Sequence, residues 1–63
     1  MTHRIREIRI GRSMTQQELA KVIGISQSAV AKWESGSCQP SLDNLLKAAA
    51  VLGCSMDELI KSS

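Results

Sequence analysis

Aromatic residues are almost missing from this 63-residue sequence, which contains no Phe, no Tyr and a single Trp. A hydrophobic core must therefore be built from Leu, Ile, Val, Ala and Met side chains. Alternating runs of β-branched residues are also missing, which argues against strands and predicts an all-α fold. A chain of this length forms one domain, residues 1–63, and folding buries only about 60% of its unfolded surface.

Cysteine, histidine and net charge are scarce too. Cys38 and Cys54 lie far apart without a CxxC spacing, and His3 is distant from both in the sequence. Structural zinc needs four ligands in close pairs, so we expect no metal and no cofactor. Neither a signal peptide nor a run of about twenty apolar residues is present, which predicts a cytoplasmic protein with reduced thiols and no membrane contact. The formal charge of +2 supports nucleic-acid binding only weakly.

The arrangement of reactive side chains argues against catalysis. The acidic residues are scattered over positions typical of helix starts and surfaces, and the serines are concentrated at helix starts. So small a core leaves no room for a pocket that encloses a substrate. We therefore expect a protein that is not an enzyme and has no small-molecule ligand.

The segment from Thr15 to Gly36 carries two short helix patterns joined by a sharp turn. Thr15 and Glu18 have the spacing of a capping box, which predicts that a helix starts directly after Thr15. Its apolar face consists of Leu19, Ala20 and Ile23. Gly24 enters the left-handed region without a steric penalty, so the chain can turn there, and Ser26 is placed to cap a second helix. This is the pattern of a helix-turn-helix.

The second helix of this pattern, from residue 27 to about residue 34, has Val30 and Trp33 at the spacing of a buried face. Three polar side chains then face outward, namely Gln27, Ser28 and Lys32. Gln matches the N6 and N7 edge of adenine, Ser can donate or accept, and Lys can reach guanine or a phosphate. Polar groups directly after the cap of such a helix are placed to read bases in the major groove. The alternative is an ordinary solvated helix face.

Three runs carry the motif order of the chain: IREIRIGRSM, TQQELAKVIGISQSAVAKWESG and PSLDNLLKAAAVLGCSMDEL. In this order they closely resemble the lambdoid phage repressor and Cro family of helix-turn-helix DNA-binding domains, from about Arg4 to Ile60. The resemblance implies a compact, lambda-repressor-like bundle of five short helices in which helices 2 and 3 form the helix-turn-helix. It also implies that the partner is double-stranded operator DNA, bound by a homodimer.

Matched position by position, the resemblance implies base contacts for Gln27, Ser28 and Lys32. It places Ser26 near the DNA backbone and gives Gln16 a phosphate contact while Gln16 also braces the recognition helix. In the family, an Arg of the first helix pairs with a Glu that ends the recognition helix. Arg9 and Glu34 occupy those two positions, so the resemblance implies an ion pair between them.

Thr2 is placed to cap a first helix from His3 to about Ile10. Arginines are concentrated here, at Arg4, Arg6, Arg9 and Arg12. A basic helix of this kind is usually a solvated face, and otherwise a surface that attracts nucleic acid. Ser13 follows in the connection, where the family often has Gly, and a positive φ is more costly for Ser than for Gly.

Ser41 is placed to cap a fourth helix that runs from Leu42 to Leu52. Backbone amides at a helix start can hold a phosphate without any side-chain charge. We therefore expect DNA backbone contacts at Ser41, with the side chain of Asn44 as an added donor.

Ser55 and Glu58 form a second capping box, which predicts a last short helix. Its apolar residues are Met56, Leu59 and Ile60. They supply more apolar surface than one short helix needs, so we expect part of this helix, with the loop around Gly53, to meet a partner chain across a two-fold axis. Plain core packing is the alternative.

Two functions fit these observations. The first is a sequence-specific DNA-binding transcriptional regulator, Cro-like or repressor-type, that occupies a palindromic operator as a dimer formed mainly on DNA. The second is a protein-interaction module on the same scaffold, such as an antitoxin-like partner, with little or no affinity for DNA. The polar residues Gln27 and Ser28 at the tip of the recognition helix favour the first function.

Overall fold

Five short helices account for most of the structure, a computed structural model that describes residues 2–61. They are α1 (Ile5–Gly11), α2 (Gln16–Ile23), α3 (Gln27–Ser35), α4 (Leu42–Leu52) and α5 (Met56–Leu59). The prediction of an all-α bundle in which α2 and α3 form a helix-turn-helix is confirmed. One short ladder joins the ends of the described chain, where strand β1 (Thr2–His3) pairs antiparallel with strand β2 (Ile60–Lys61).

Hydroxyl side chains cap the starts of α2 to α5, as the sequence predicts. At α2, the Glu18 N–H donates to Thr15 Oγ1 at 3.0 Å, and the Thr15 N–H donates to Glu18 Oε1 at 2.9 Å. Ser55 and Glu58 make the same reciprocal pair of bonds at α5. These bonds satisfy amide groups that a helix start leaves without partners, which fixes where each helix begins.

The core lies where α2 packs against α3 and α4, and where α4 packs against α5 and α1. Its apolar members are Ile5, Leu19, Ala20, Ile23, Val30, Trp33, Leu45, Ala48, Ala49, Leu52 and Leu59. Cys54 packs against the edge of this cluster, where a thiol behaves as a small hydrophobe. Burial, followed by the charge of Glu58, raises the pKa of the Cys54 thiol.

The first helix starts later than the sequence predicts. Thr2 lies in β1 and does not cap a helix, and α1 begins at Ile5 after Arg4, whose side chain makes no cap hydrogen bond. The Arg4 N–H instead donates to the Leu59 carbonyl at 2.7 Å. The pairing of β1 with β2 therefore takes the place of the first helical turn that the local sequence favours. Because of the same pairing, Ile60 lies in β2 and not in α5.

The connection between α1 and α2 turns through Ser13, whose φ is +57°. This is the left-handed conformation that Gly adopts more readily than Ser. The turn is closed by backbone bonds, since the Ser13 N–H donates to the Ile10 carbonyl at 2.9 Å and the Met14 N–H to the Arg9 carbonyl at 3.1 Å. The turn places Thr15 at the start of α2.

Candidate nucleic-acid interface

Helix α3 presents a polar row to solvent because its opposite side is fixed in the core. Val30 is fully buried and Trp33 is 6% exposed, whereas three residues on the other side are exposed, namely Gln27, Ser28 and Lys32. The Ala29 N–H donates to Ser26 Oγ at 3.2 Å, which starts the helix directly before Gln27. Gly24, at a φ of +89°, lets the chain reverse between α2 and α3.

An open cleft brings the start of α2 close to the start of α3. Its lining residues are Arg9, Ile10, Ser13, Met14, Thr15, Gln16, Gln17 and Gln27. Gln16 and Gln27, assigned from sequence to a phosphate and to a base, therefore face the same space. Gln17 was not singled out from the sequence, although an exposed amide in the first turn of α2 is a signal that could have indicated it.

A hydrogen-bonded cluster, called here the clamp, ties α3 to α1 and α2 through Arg9, Gln16 and Glu34. Arg9 Nε donates to Glu34 Oε2 at 2.8 Å, and Arg9 Nη2 donates to Glu34 Oε1 at 3.0 Å. Gln16 Nε2 donates to the same Oε1 at 3.0 Å. Arg9 Nη1 also donates to the Met14 carbonyl at 2.6 Å, so the guanidinium bridges three segments of the chain.

The clamp is largely closed to water, since the side chains of Arg9 and Glu34 are 10% and 4% exposed. Burial acts to raise the pKa of Glu34, but hydrogen bonds from Arg9 and Gln16, with the charge of Arg9, lower it below its ordinary value. The hydrogen bond to Glu34 raises the pKa of Arg9. Both groups are therefore charged at neutral pH, and the recognition helix is held at its C-terminal end by a bidentate ion pair.

Ser41 and Asn44 lie at the start of α4, outside the cleft. Ser41 is exposed and its Oγ accepts the Asn44 N–H at 3.2 Å, while the Asn44 side chain is half-buried. The Ser41 hydroxyl is thus already used as a cap. The backbone amides in the first turn of α4 that have no partner remain available to a phosphate.

Within residues 2–61, no group of three or more His, Cys, Asp or Glu side chains is arranged to hold a metal ion. Both thiols are free, with Cys38 exposed and Cys54 half-buried. In the same part of the chain, no helix is long and apolar enough to cross a membrane.

Residues 5–59 match the family described as helix-turn-helix. This chain belongs to the helix-turn-helix family. The match covers every helix of the bundle, and relatives that include phage repressors confirm the resemblance expected from the sequence.

Two relatives and one solved structure are similar to most of this chain. Repressor protein C2 of Salmonella phage P22 is 38% identical over 61 residues, which are 97% of this chain and 28% of C2. The HTH-type transcriptional activator BcrR of Enterococcus faecalis is 32% identical over 57 residues, which are 90% of this chain and 28% of BcrR. The P22 c2 repressor in a crystal complex with synthetic operator 9T superposes with a TM-score of 0.84 at 37% identity, covering 95% of this chain and 91% of that one. This chain thus spans little more than a quarter of C2 and of BcrR.

Proposed function

We propose that this protein is a sequence-specific DNA-binding transcriptional regulator of the repressor or Cro type. The observation that carries the proposal is the exposed polar row Gln27, Ser28 and Lys32 on a helix whose other side is buried. Side chains of this kind at the start of a helix can enter the major groove, where the edges of all four base pairs are distinguishable. No step in this function requires a reaction at a substrate, so the proposal is not that of an enzyme.

Each residue of the surface has a proposed role. Gln27 and Ser28 contact base edges, and Lys32 contacts a base or a phosphate farther along α3. The backbone-contacting group consists of Gln16, Ser26, Ser41 and Asn44. Such contacts set the register of the protein on DNA and carry no sequence information themselves. The clamp of Arg9, Gln16 and Glu34 fixes the angle at which α3 meets the groove.

The proposed regulator binds a palindromic operator as a homodimer, and acts in the cytoplasm where that DNA is. The last helix remains the proposed pairing surface, together with the loop around Gly53. Leu59 and Met56 of α5 are fully buried and half-buried, and Ile60, which follows in β2, is half-buried, so this segment offers a partner little apolar area. A small interface gives weak pairing in free solution. We therefore expect the dimer to form mainly on DNA, where the two half-sites hold both copies.

Alanine substitutions in α3 test the proposed base contacts directly. Gln27→Ala or Ser28→Ala should weaken binding to a selected operator by about 1–3 kcal/mol while leaving weak binding to mixed-sequence duplex nearly unchanged. Ser35→Ala, an exposed serine at the far end of α3, is the matched control and should change neither. Equal losses on both kinds of DNA would show that these side chains do not read sequence. Lys32→Ala distinguishes a base contact, lost on the operator alone, from a phosphate contact, lost on every sequence.

Selection of bound duplexes from a random library supplies the operator and tests the dimer in the same experiment. A palindromic consensus with half-sites about ten base pairs apart is the expected result. Recovery of no enriched sequence, together with no salt-dependent binding to any duplex, would overturn the proposal and favour a protein-interaction module.

A further inference from the structure

The arginines of the N-terminal segment have different surroundings. Arg4 Nε donates to Glu7 Oε2 at 3.3 Å in an exposed pair. Arg9 is held in the clamp, and Arg12 Nε donates to a backbone carbonyl at the end of α4 at 2.8 Å. Arg6 is exposed, and its side chain makes no hydrogen bond or ion pair within the part of the chain that the structure describes. Its charge is therefore available to a ligand.

Arg6 precedes by one helical turn the two residues of α1 that line the cleft, Arg9 and Ile10. Residues three and four positions apart on a helix share a side, so Arg9 and Ile10 follow Arg6 along the same edge. Ile10 lines the cleft together with Gln16, and Arg9 reaches Gln16 through Glu34. Arg4 precedes the first residue of α1, and its side chain is paired with Glu7.

Electrostatics agree with this placement. The pKa of Glu34 is raised by burial and lowered, in decreasing order, by hydrogen bonds from Arg9 and Gln16, by the charge of Arg9 and by the charge of Arg6. Arg6 is thus near enough to the clamp for its charge to act on Glu34. Arg9 already pairs with that carboxylate at 2.8 Å, and Glu34 makes no ion pair with Arg6.

We propose that Arg6 binds a backbone phosphate of the DNA next to the start of α2, an inference that rests on the proposed function. The ligand is a phosphodiester oxyanion, which the planar guanidinium group can hold through two parallel hydrogen bonds. The contact extends the interface from the helix-turn-helix onto α1. It contributes affinity and register and no discrimination among bases.

The test is the salt dependence of binding to a mixed-sequence duplex, which needs no knowledge of the operator. Each neutralised phosphate contributes about −0.9 to the slope of log affinity against log salt concentration. Arg6→Gln should therefore make the slope less negative by about 0.9 for each bound chain. Arg6→Lys keeps the charge and should retain the wild-type slope. Arg4→Gln removes the same charge at the residue before α1, where it is paired with Glu7, so it controls for net charge and should leave the slope unchanged. Thermal unfolding checks that all three variants remain folded.

The outcomes separate this inference from the proposed function. A wild-type slope in Arg6→Gln, or an equal change in Arg4→Gln, would overturn the assignment of Arg6 while the protein still binds DNA. A wild-type protein that binds no duplex at any salt concentration would instead overturn the proposed function, and the Arg6 contact with it.

Discussion

Replacing Arg9 by Met should destabilise the fold by about 3–5 kcal/mol, because it leaves Glu34 charged in a buried position. The Glu34 side chain is 4% exposed, and without Arg9 it keeps one hydrogen bond, the one from Gln16 at 3.0 Å. A single neutral donor replaces neither the two charge-assisted bonds nor the opposite charge. The Met14 carbonyl also loses its donor, so the damage extends to the turn before α2.

The opposite change, Glu34→Leu, should cost less, about 1–3 kcal/mol. Arg9 would keep its bond to the Met14 carbonyl, and its long side chain can move the charged end toward solvent. The double variant Arg9→Met/Glu34→Leu has no unpaired charge and should be more stable than Arg9→Met alone. A residual loss is expected because the Gln16 amide and the Met14 carbonyl no longer have these partners.

Urea unfolding of the three variants, followed by circular dichroism and by fluorescence of the buried Trp33, measures these differences. A domain of this size has a stability of only about 5 kcal/mol, so Arg9→Met can unfold entirely. In that case a double variant that folds where the single variant does not gives the same answer. Single losses under about 1 kcal/mol that add in the double variant would refute the reasoning, since the pair would then behave as an exposed contact.

Two further predictions concern the pH dependence of stability and the turn at Ser13 between α1 and α2. Glu34 has a folded pKa below its ordinary 4.5, so its contribution to stability is complete above about pH 4.5 and is lost as the pH falls through the folded value. The free energy of unfolding, measured at decreasing pH, should therefore fall more steeply in the wild type than in Glu34→Gln. Equal slopes would contradict the role of the clamp. Some acid sensitivity should remain in Glu34→Gln, because hydrogen bonds at the caps Thr15 and Ser55 lower the pKa of Glu18 and Glu58. Ser13→Gly should raise the free energy of unfolding by about 0.5–1 kcal/mol, because Gly adopts the φ of +57° without a Cβ penalty. The reverse change at a φ of +89°, Gly24→Ser, should lower it, and a Ser13→Gly variant no more stable than the wild type would show that the turn is unstrained.

Helix boundaries were predictable wherever a short-range signal decides them. The hydroxyl caps at Thr15, Ser26, Ser41 and Ser55 act within three residues of themselves, so sequence spacing alone contains the information. Gly24 ends α2 for a reason equally local, its left-handed φ. These signals agree with the apolar spacing on each helix, and that consistency is why the bundle follows from the sequence.

Features that depend on distant partners were predicted less well. Thr2 has the residue type of a cap, and nothing near it in the sequence reveals that β1 will pair with β2 at the other end of the chain. Arg12 is similar, since its bond to the Leu52 carbonyl joins segments that no periodicity relates. The burial of Arg9 is the clearest case. Its neighbours suggest a solvated basic helix, and the partner Glu34 was indicated by family resemblance rather than by any pattern in the chain.

Gln16 shows how the clamp and the proposed DNA contacts can work together. Its side-chain amide carries two N–H donors, and the structure uses one of them for Glu34 at 3.0 Å. A phosphate accepts hydrogen bonds and donates none, so the second donor suits the backbone contact proposed for this residue. Because Glu34 orients the amide before DNA arrives, less rotamer freedom is lost on binding than for a free glutamine. The same carboxylate therefore holds the C-terminal end of α3 and orients the side-chain amide that is proposed as a phosphate donor at the start of α2.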